Sequence, residues 1–413
     1  MHFKVRLVTG QTLIGLAYGF WLATAGIYFI DKGLELWMVG LILGLGPVVT
    51  AALEVPFGML ADRHGRLRIY RLSVLINVIS LAMLSLFHSV PMFIAASVLG
   101  GIGQALQSGS LDAWYVQQLN QRDEGEKLEI LSGHLQAAMA AGMAVAAIAG
   151  GYTPDFMPDF MGISGTEWNP LIASSVLMAV LLLSYGLYFE GENHHDANAE
   201  DAPHQSIGGI LRDALRNPFV AELLLVGVMA GVAIAAIDLF WQPRLREIAP
   251  DISYAIFGWM TFGYFATAIL GPLLIGQIAK ALKISPRRQM RLIPLGFFGV
   301  ILALGFIGSV PVFVPVYLAF MLLFSMLNPA TFTLINEASH NHNRSAMQSL
   351  TSLTFTLGAG TTALGLSWIL RSSSLSALWI GIALFGITLT LGKNLFNAPL
   401  CRAGNQRRLK ISP

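Results

Sequence analysis

Five carboxylates lie within or at the ends of long apolar stretches: Glu54, Asp112, Glu222, Asp238 and Glu337. A charge held in hydrocarbon is costly, so each is a candidate for ion pairing or reversible protonation. Glu222 sits between one and two turns into its stretch, with no basic partner on the same helix. A carboxyl in such surroundings is readily neutralised by a proton, which suits proton carriage. Snorkelling to the surface and pairing with Arg216 are the alternatives. Glu54 lies two residues before Pro56 and about two turns before Asp62, on roughly the same helical face. Asp238, close to Trp241, reads as an anchor at the membrane interface, and Glu337 as a loop residue near Arg344.

Other chemistries are poorly served. The nine histidines form no ligand constellation: His194 and His195 are adjacent in a polar linker, and His340 and His342 share a short loop. His134 stands alone and could titrate near neutral pH. Cys401 is the single cysteine, so intramolecular disulfides and multi-cysteine metal sites are excluded. No H-E-x-x-H or G-x-S-x-G run occurs, and no acid pair accompanies a nucleophile at membrane depth. The expectation is a protein without cofactor, metal or enzymatic activity, and with no nucleic-acid partner.

The elements that must position these residues are membrane helices. Of the 413 residues, 55% are hydrophobic and 12% charged, with a mean hydropathy of +0.64. Soluble domains carry about 25% charged residues. Apolar stretches place twelve spans near 8–30, 37–61, 69–88, 91–117, 130–151, 169–189, 217–240, 254–279, 291–309, 312–336, 345–369 and 374–395. Breakers such as His88-Ser89-Val90-Pro91 and Gly308-Ser309-Val310-Pro311 divide neighbours into antiparallel pairs. The opening run is too long for a signal-peptide core and reads as a retained first helix.

Basic residues orient the spans. With the N-terminus inside, 21 of the 25 Lys and Arg fall in cytoplasmic segments, and only Lys32, Arg244, Arg246 and Arg371 fall outside. That asymmetry supports twelve spans with both termini in the cytoplasm. The longest polar stretch, 190–216, separates the sixth and seventh spans. It ends in Ile207, Ile210, Leu211, Ala214 and Leu215 on one helical face, with Arg212 and Arg216 opposite, as in an interfacial helix. The plan is a six-helix bundle over 1–189, the linker, a second bundle over 217–395 and a basic tail over 396–413.

The loop after the second span reads Gly58-Met-Leu-Ala-Asp62-Arg63-His-Gly65-Arg66-Leu-Arg68. It resembles the major facilitator signature G-x-L-A-D-R-x-G-R-[RK] at seven of eight specified positions, with Leu67 at the last. The resemblance implies an all-α membrane protein of twelve transmembrane helices in two pseudo-symmetric six-helix bundles. It also implies roles: Gly58 for close helix approach, Gly65 for a tight turn, and Asp62 against a helix N-terminus of the other half. Arg63 and Arg66 complete the motif, with Asp112 as the acid that Arg66 would reach. Together these would latch the cytoplasmic side shut, and Glu54 is either a second latch member or a proton carrier beside it.

The second half keeps a worn copy, Gly276-Gln-Ile-Ala-Lys280, 218 residues after Gly58 and without the aspartate. The fifth span ends in Gly142-Met-Ala-Val-Ala146-Ala147-Ile-Ala-Gly150-Gly151, similar to the antiporter motif G-x-x-x-G-P-x-x-G-G but lacking its Gly-Pro pair. Small-residue packing is the equal alternative.

In this family the cavity is lined by the first, fourth, seventh and tenth spans with the second, fifth, eighth and eleventh. Mid-depth residues there include Tyr18, Trp21, Gln104, Gln107, Trp259, Tyr264, Phe324, Asn328 and Thr354, of which about half should miss the cavity. Aromatic, aliphatic and sparsely polar, the set suits an amphipathic, neutral-to-cationic solute rather than a sugar or organic anion. The resulting expectation is a monomeric, proton-coupled exporter of small molecules in a bacterial cytoplasmic membrane. An importer, a lipid or siderophore carrier, and a transporter-like sensor without flux are the alternatives.

Overall fold

The computed structural model describes residues 3–122, 128–186, 217–338 and 344–392. The linker 190–216 with its interfacial helix, and the tail 396–413, lie outside the described residues. Fifteen α-helices cover the described chain: α1 (Phe3–Leu22), α2 (Ala25–Asp31), α3 (Leu36–His64), α4 (Arg66–Leu86), α5 (Val90–Arg122), α6 (Leu128–Phe156), α7 (Trp168–Gly186), α8 (Pro218–Asp238), α9 (Trp241–Ile248), α10 (Ala255–Leu282), α11 (Pro286–Phe306), α12 (Val310–Ser325), α13 (Leu327–Ala338), α14 (Arg344–Ile369) and α15 (Leu375–Leu391).

Ten helical stretches are long and apolar enough to cross a membrane, and Leu375–Leu391 is a shorter apolar helix. With α14, they match the twelve expected spans. What hydropathy does not announce is that three spans are broken. The first divides at Ala23–Thr24, the seventh at Leu239–Phe240 and the tenth at Met326. Apolar composition runs straight through each break, because burial is indifferent to backbone continuity.

Local chemistry sets the helix ends. Gly65, at φ 92°, ends α3 and starts α4 in a conformation that disfavours side chains with a Cβ. The Asn217 side chain accepts from the Phe219 amide at 3.1 Å, with Pro218 opening α8. Ser285, followed by Pro286, caps α11 in the same way.

Each half has its own core. Leu7, Phe93 and Leu177 belong to the first, and Phe297, Phe320 and Trp379 to the second. Trp379 is fully buried and donates its indole N–H to the Ala236 carbonyl at 2.7 Å. Trp379→Ala is expected to cost about 3–5 kcal/mol, read as a clear fall in Tm in detergent micelles.

The halves meet toward one end of the bundle, marked by Asp31. Close contacts there involve Gly151 with Gly258, Gly44 with Ala363, and Gly40 with Phe240 and Ser367. A Cβ built on Gly151 would lie 2.7 Å from the Gly258 Cα, so only glycine permits this backbone approach. At the opposite end, marked by Gly65, a Cβ on Gly58 or Gly276 would meet nothing within 4 Å. Among the described residues, the halves are therefore closed at the Asp31 end and parted at the Gly65 end.

Candidate transport cavity and its gate

Between the halves lies a cavity of about 620 Å³, within the range of small-molecule sites. Tyr18, Trp21 and Gln104 line it. The Tyr18 hydroxyl lies 3.3 Å from Gln104 Oε1 and 3.2 Å from Gln107 Oε1, so Gln107 supports the wall from behind. Asn328 and Phe324 line a separate side pocket of about 200 Å³ with Thr331, Thr351 and Ser352; Phe355 borders both spaces.

Other candidates lie elsewhere. Trp259 is half exposed and donates to the Tyr152 hydroxyl at 3.3 Å, across the closed end. Tyr264 packs edge-on against Phe265 beside the second core. Thr354 is buried between α14 and α8, where it would clash with a Cβ on Gly227. Helical period alone cannot say which face of an all-apolar helix turns inward.

Two residues differ from what their sequence context suggests. Asp238 is not an interfacial anchor: it lines the cavity with Tyr18 and Trp21. The break after α8 turns the chain there, so Asp238 stands at the end of a half-helix facing open space. Among the described residues its side chain makes no hydrogen bond or ion pair, and it is the only carboxylate on the cavity wall. Trp241 is not an anchor either. It is buried, with its ring centroid 4.9 Å from that of Tyr317.

The third span also reaches the cavity, through Asn77 and Ser80 of α4. Gly103 of α5 makes room, since a Cβ there would sit 2.4 Å from Asn77 Oδ1. Two polar residues one turn apart in an apolar helix were the available signal.

The sequence-selected acids lie outside this space. Glu222 is half-buried on α8 within electrostatic reach of Arg291 and Arg287, so its basic partners come from α11. Glu54 is exposed on α3, one turn past the cavity-lining Thr50. Around the latch motif, Gly65 makes the expected turn and Arg63 is exposed. Among the described residues no second helix approaches Gly58, where a Cβ would meet nothing within 4 Å. The Asp62 and Asp112 side chains lie outside the described residues.

The closed end is polar. Asp31 accepts from the Tyr254 hydroxyl of the other half at 2.9 Å and lies 3.6 Å from Arg246. Arg371 covers the Trp37 ring at 4.1 Å, again across the halves. Nearby, buried Glu167 pairs with Lys32 and contacts His88 Nε2 at 2.8 Å. Burial, and then the Lys32 charge, hold His88 below its ordinary pKa. Lys32 is therefore the charge partner of Glu167 at neutral pH, and His88 a hydrogen-bonding one.

Residues 7–248, more than half of the chain, match the family model described as Major Facilitator Superfamily. The chain belongs to that superfamily. It is a multi-pass membrane protein with the twelve-helix, two-bundle fold of that superfamily. An uncharacterized MFS-type transporter of Bacillus subtilis, YxaM, is 22% identical over 242 residues, covering 58% of this chain and 57% of that protein. A probable 4-methylmuconolactone transporter of Cupriavidus pinatubonensis is 24% identical over 56% of this chain and 53% of its own length. The chain thus aligns with little more than half of these curated relatives.

Solved transporters share the fold over nearly all of it. The nucleoside transporter NupG superposes with a TM-score of 0.75 at 14% identity, covering 96% of this chain and all of that one. A bacterial homologue of the human lysosomal transporter Spinster, in an inward-facing and occupied conformation, gives 0.71 at 15% identity, covering 95% and 93%.

Proposed function

We propose that this transporter exports amphipathic, neutral-to-cationic small molecules in exchange for protons, by alternating access of its two halves. The observation that carries this reading is Asp238, an unpaired carboxylate on the wall of an otherwise apolar and aromatic cavity. Such a group is stabilised either by a bound proton or by a cationic ligand, and the two exclude one another. Its place at the C-terminal end of α8 adds the negative end of the helix dipole, which favours positive charge further.

The distribution of basic residues supports a cytoplasmic Gly65 end, both termini in the cytoplasm and a bacterial inner-membrane location. On that reading, the parted Gly65 end receives solute from inside. Rocking of the halves then closes that side through the motif Gly58, Asp62, Arg63, Gly65 and Arg66, with Asp112. Glu54 and Glu222, outside the cavity, belong to this gating rather than to proton carriage. The working unit is one chain in the lipid bilayer.

Proteoliposomes provide the test, with a lipophilic monocation such as ethidium as probe. An imposed pH gradient should drive accumulation against the solute gradient, and dissipating it with an ionophore should abolish the accumulation. Flux that ignores the pH gradient would remove the proton coupling. A second reading, uptake of a small lactone, is favoured by the relative named for 4-methylmuconolactone. Inward flux of that lactone, with no monocation flux, would select it.

A further inference from the structure

The break in the first span is filled by a side chain from the other half. In a continuous helix the Gly26 amide would bond the Leu22 carbonyl, and the Ile27 amide the Ala23 carbonyl. Here neither bond is made. Gln242, the second residue of α9, inserts its carboxamide between them. Its Oε1 accepts from the Gly26 amide at 2.7 Å and the Ile27 amide at 3.1 Å. Its Nε2 donates to the Leu22 carbonyl at 3.0 Å and the Ala23 carbonyl at 3.2 Å. Gln242 is 3% exposed, so the bonds to Gly26, Ile27 and Ala23 are shielded from water.

The geometry points to Gln242 as the positioning residue of the transport cycle: its carboxamide substitutes for two missing hydrogen bonds of the first span, and thereby holds the Asp31 end shut. Four backbone groups depend on it, three of them in buried bonds and the Leu22 carbonyl in a part-buried one, and the buried ones would carry a desolvation penalty if left unpaired. The clamp is also reversible. When the halves part at this end, Gln242 leaves with α9, and the same four groups are in register to bond one another. The first span then has two satisfied forms: broken and spliced across the halves when this end is closed, continuous when it is open. A bistable element of this kind couples a local exchange of hydrogen bonds to a movement of whole bundles.

Neighbouring residues fit the role. Gly26 leaves room for the carboxamide, since a Cβ there would lie 3.1 Å from Gln242 Oε1. On the opposite side, Asn169 donates to the Thr24 hydroxyl at 2.6 Å and the Gly150 carbonyl at 2.9 Å, holding the break from within its own half. Gln242 therefore makes the hydrogen bonds of the break that must separate when the halves do, while Pro243 and the packing of Ile27 contribute apolar contact alone.

This inference rests on the alternating-access reading, but its test measures distances rather than flux, so the two can fail separately. Spin labels at Asp159→Cys and Asp251→Cys, exposed loop sites of the two halves in a Cys401→Ser background, report the Asp31 end in nanodiscs. Gln242→Leu is close in size but cannot bond the backbone. It should raise the open-to-closed ratio at this end by about tenfold or more.

Gln242→Glu sharpens the test. Its carboxylate can still accept from Gly26 and Ile27, but it sets negative charge against the Leu22 and Ala23 carbonyls. Protonation restores one donor. The open population of Gln242→Glu should therefore fall as the pH is lowered, after subtracting any drift of the unsubstituted protein. That control carries the native charges packed around the clamp: Asp31, Lys32, Asp238, Arg244 and Arg246. An open-to-closed ratio for Gln242→Leu within twofold of the unsubstituted protein overturns the proposal. So does a pH-independent ratio for Gln242→Glu, which also decides the matter should the leucine variant fail to fold.

Discussion

Asp238→Asn is expected to abolish proton-driven accumulation of a cationic solute while leaving downhill exchange measurable. The substitution keeps size and hydrogen-bonding capacity but removes both the charge and the titratable proton. In the cavity, Asp238 has no cation of its own to lose, because its side chain pairs with nothing among the described residues. The variant should fold, and its defect should lie in coupling and affinity. Losing one partner of a desolvated charge pair costs about 2–5 kcal/mol, so the KM for a monocation should rise roughly thirtyfold or more. A neutral solute of similar shape should be spared that change in KM. Equal loss for neutral and cationic solutes would instead point to a general defect in the cycle. Glu222→Gln and Glu54→Gln serve as contrasts: both lie outside the cavity, and both should retain uphill transport.

Gly258→Leu is expected to wedge the Asp31 end apart. At this crossing of α6 and α10, the Cβ of any residue at 258 would lie 2.5 Å from the Ala147 carbonyl oxygen and 2.9 Å from the Gly151 Cα. Both obstacles are backbone, so no rotamer change relieves the clash. Overpacking costs about 1–3 kcal/mol even where side chains can shift, and here it falls on only one of the two states. The open population should rise by roughly ten- to a hundredfold, and turnover should drop because the cycle stalls. Thr356 lines the cavity. A Thr356→Cys reporter in the Cys401→Ser background would therefore become reactive to an impermeant maleimide added from the Asp31 side. Unchanged labelling in a well-folded variant would show that this crossing does not limit opening.

This crossing also bears on the degenerate antiporter motif of the fifth span. Gly142 and Gly150 press against backbone of α1, where added Cβ atoms would lie 2.4 Å from the Thr12 oxygen and 2.9 Å from the Phe20 oxygen. Gly151 alone reaches the other half. The glycines of that motif thus serve close packing, and one of them serves the gate.

Hydrophobicity, breaker residues and the asymmetry of Lys and Arg determined, without coordinates, that this chain is a twelve-helix bundle. The Gly58–Arg68 motif assigned its family. Those features are legible because each depends on local composition: the length of an apolar run, a breaker between two runs, a glycine for a tight turn at Gly65. Only tertiary structure decided which faces of the apolar helices turn inward, because a helix buried on all sides has no amphipathic stripe to mark its direction. By sequence alone Asp238 reads as an interfacial anchor. Its position at the end of a hydrophobic run is identical for an anchor and for a cavity acid, until the break at Leu239–Phe240 is seen. Gln242 lies further still from what sequence can reveal. Its four hydrogen bonds join residues more than two hundred positions apart, and they exist only because the two halves close upon one another at that end.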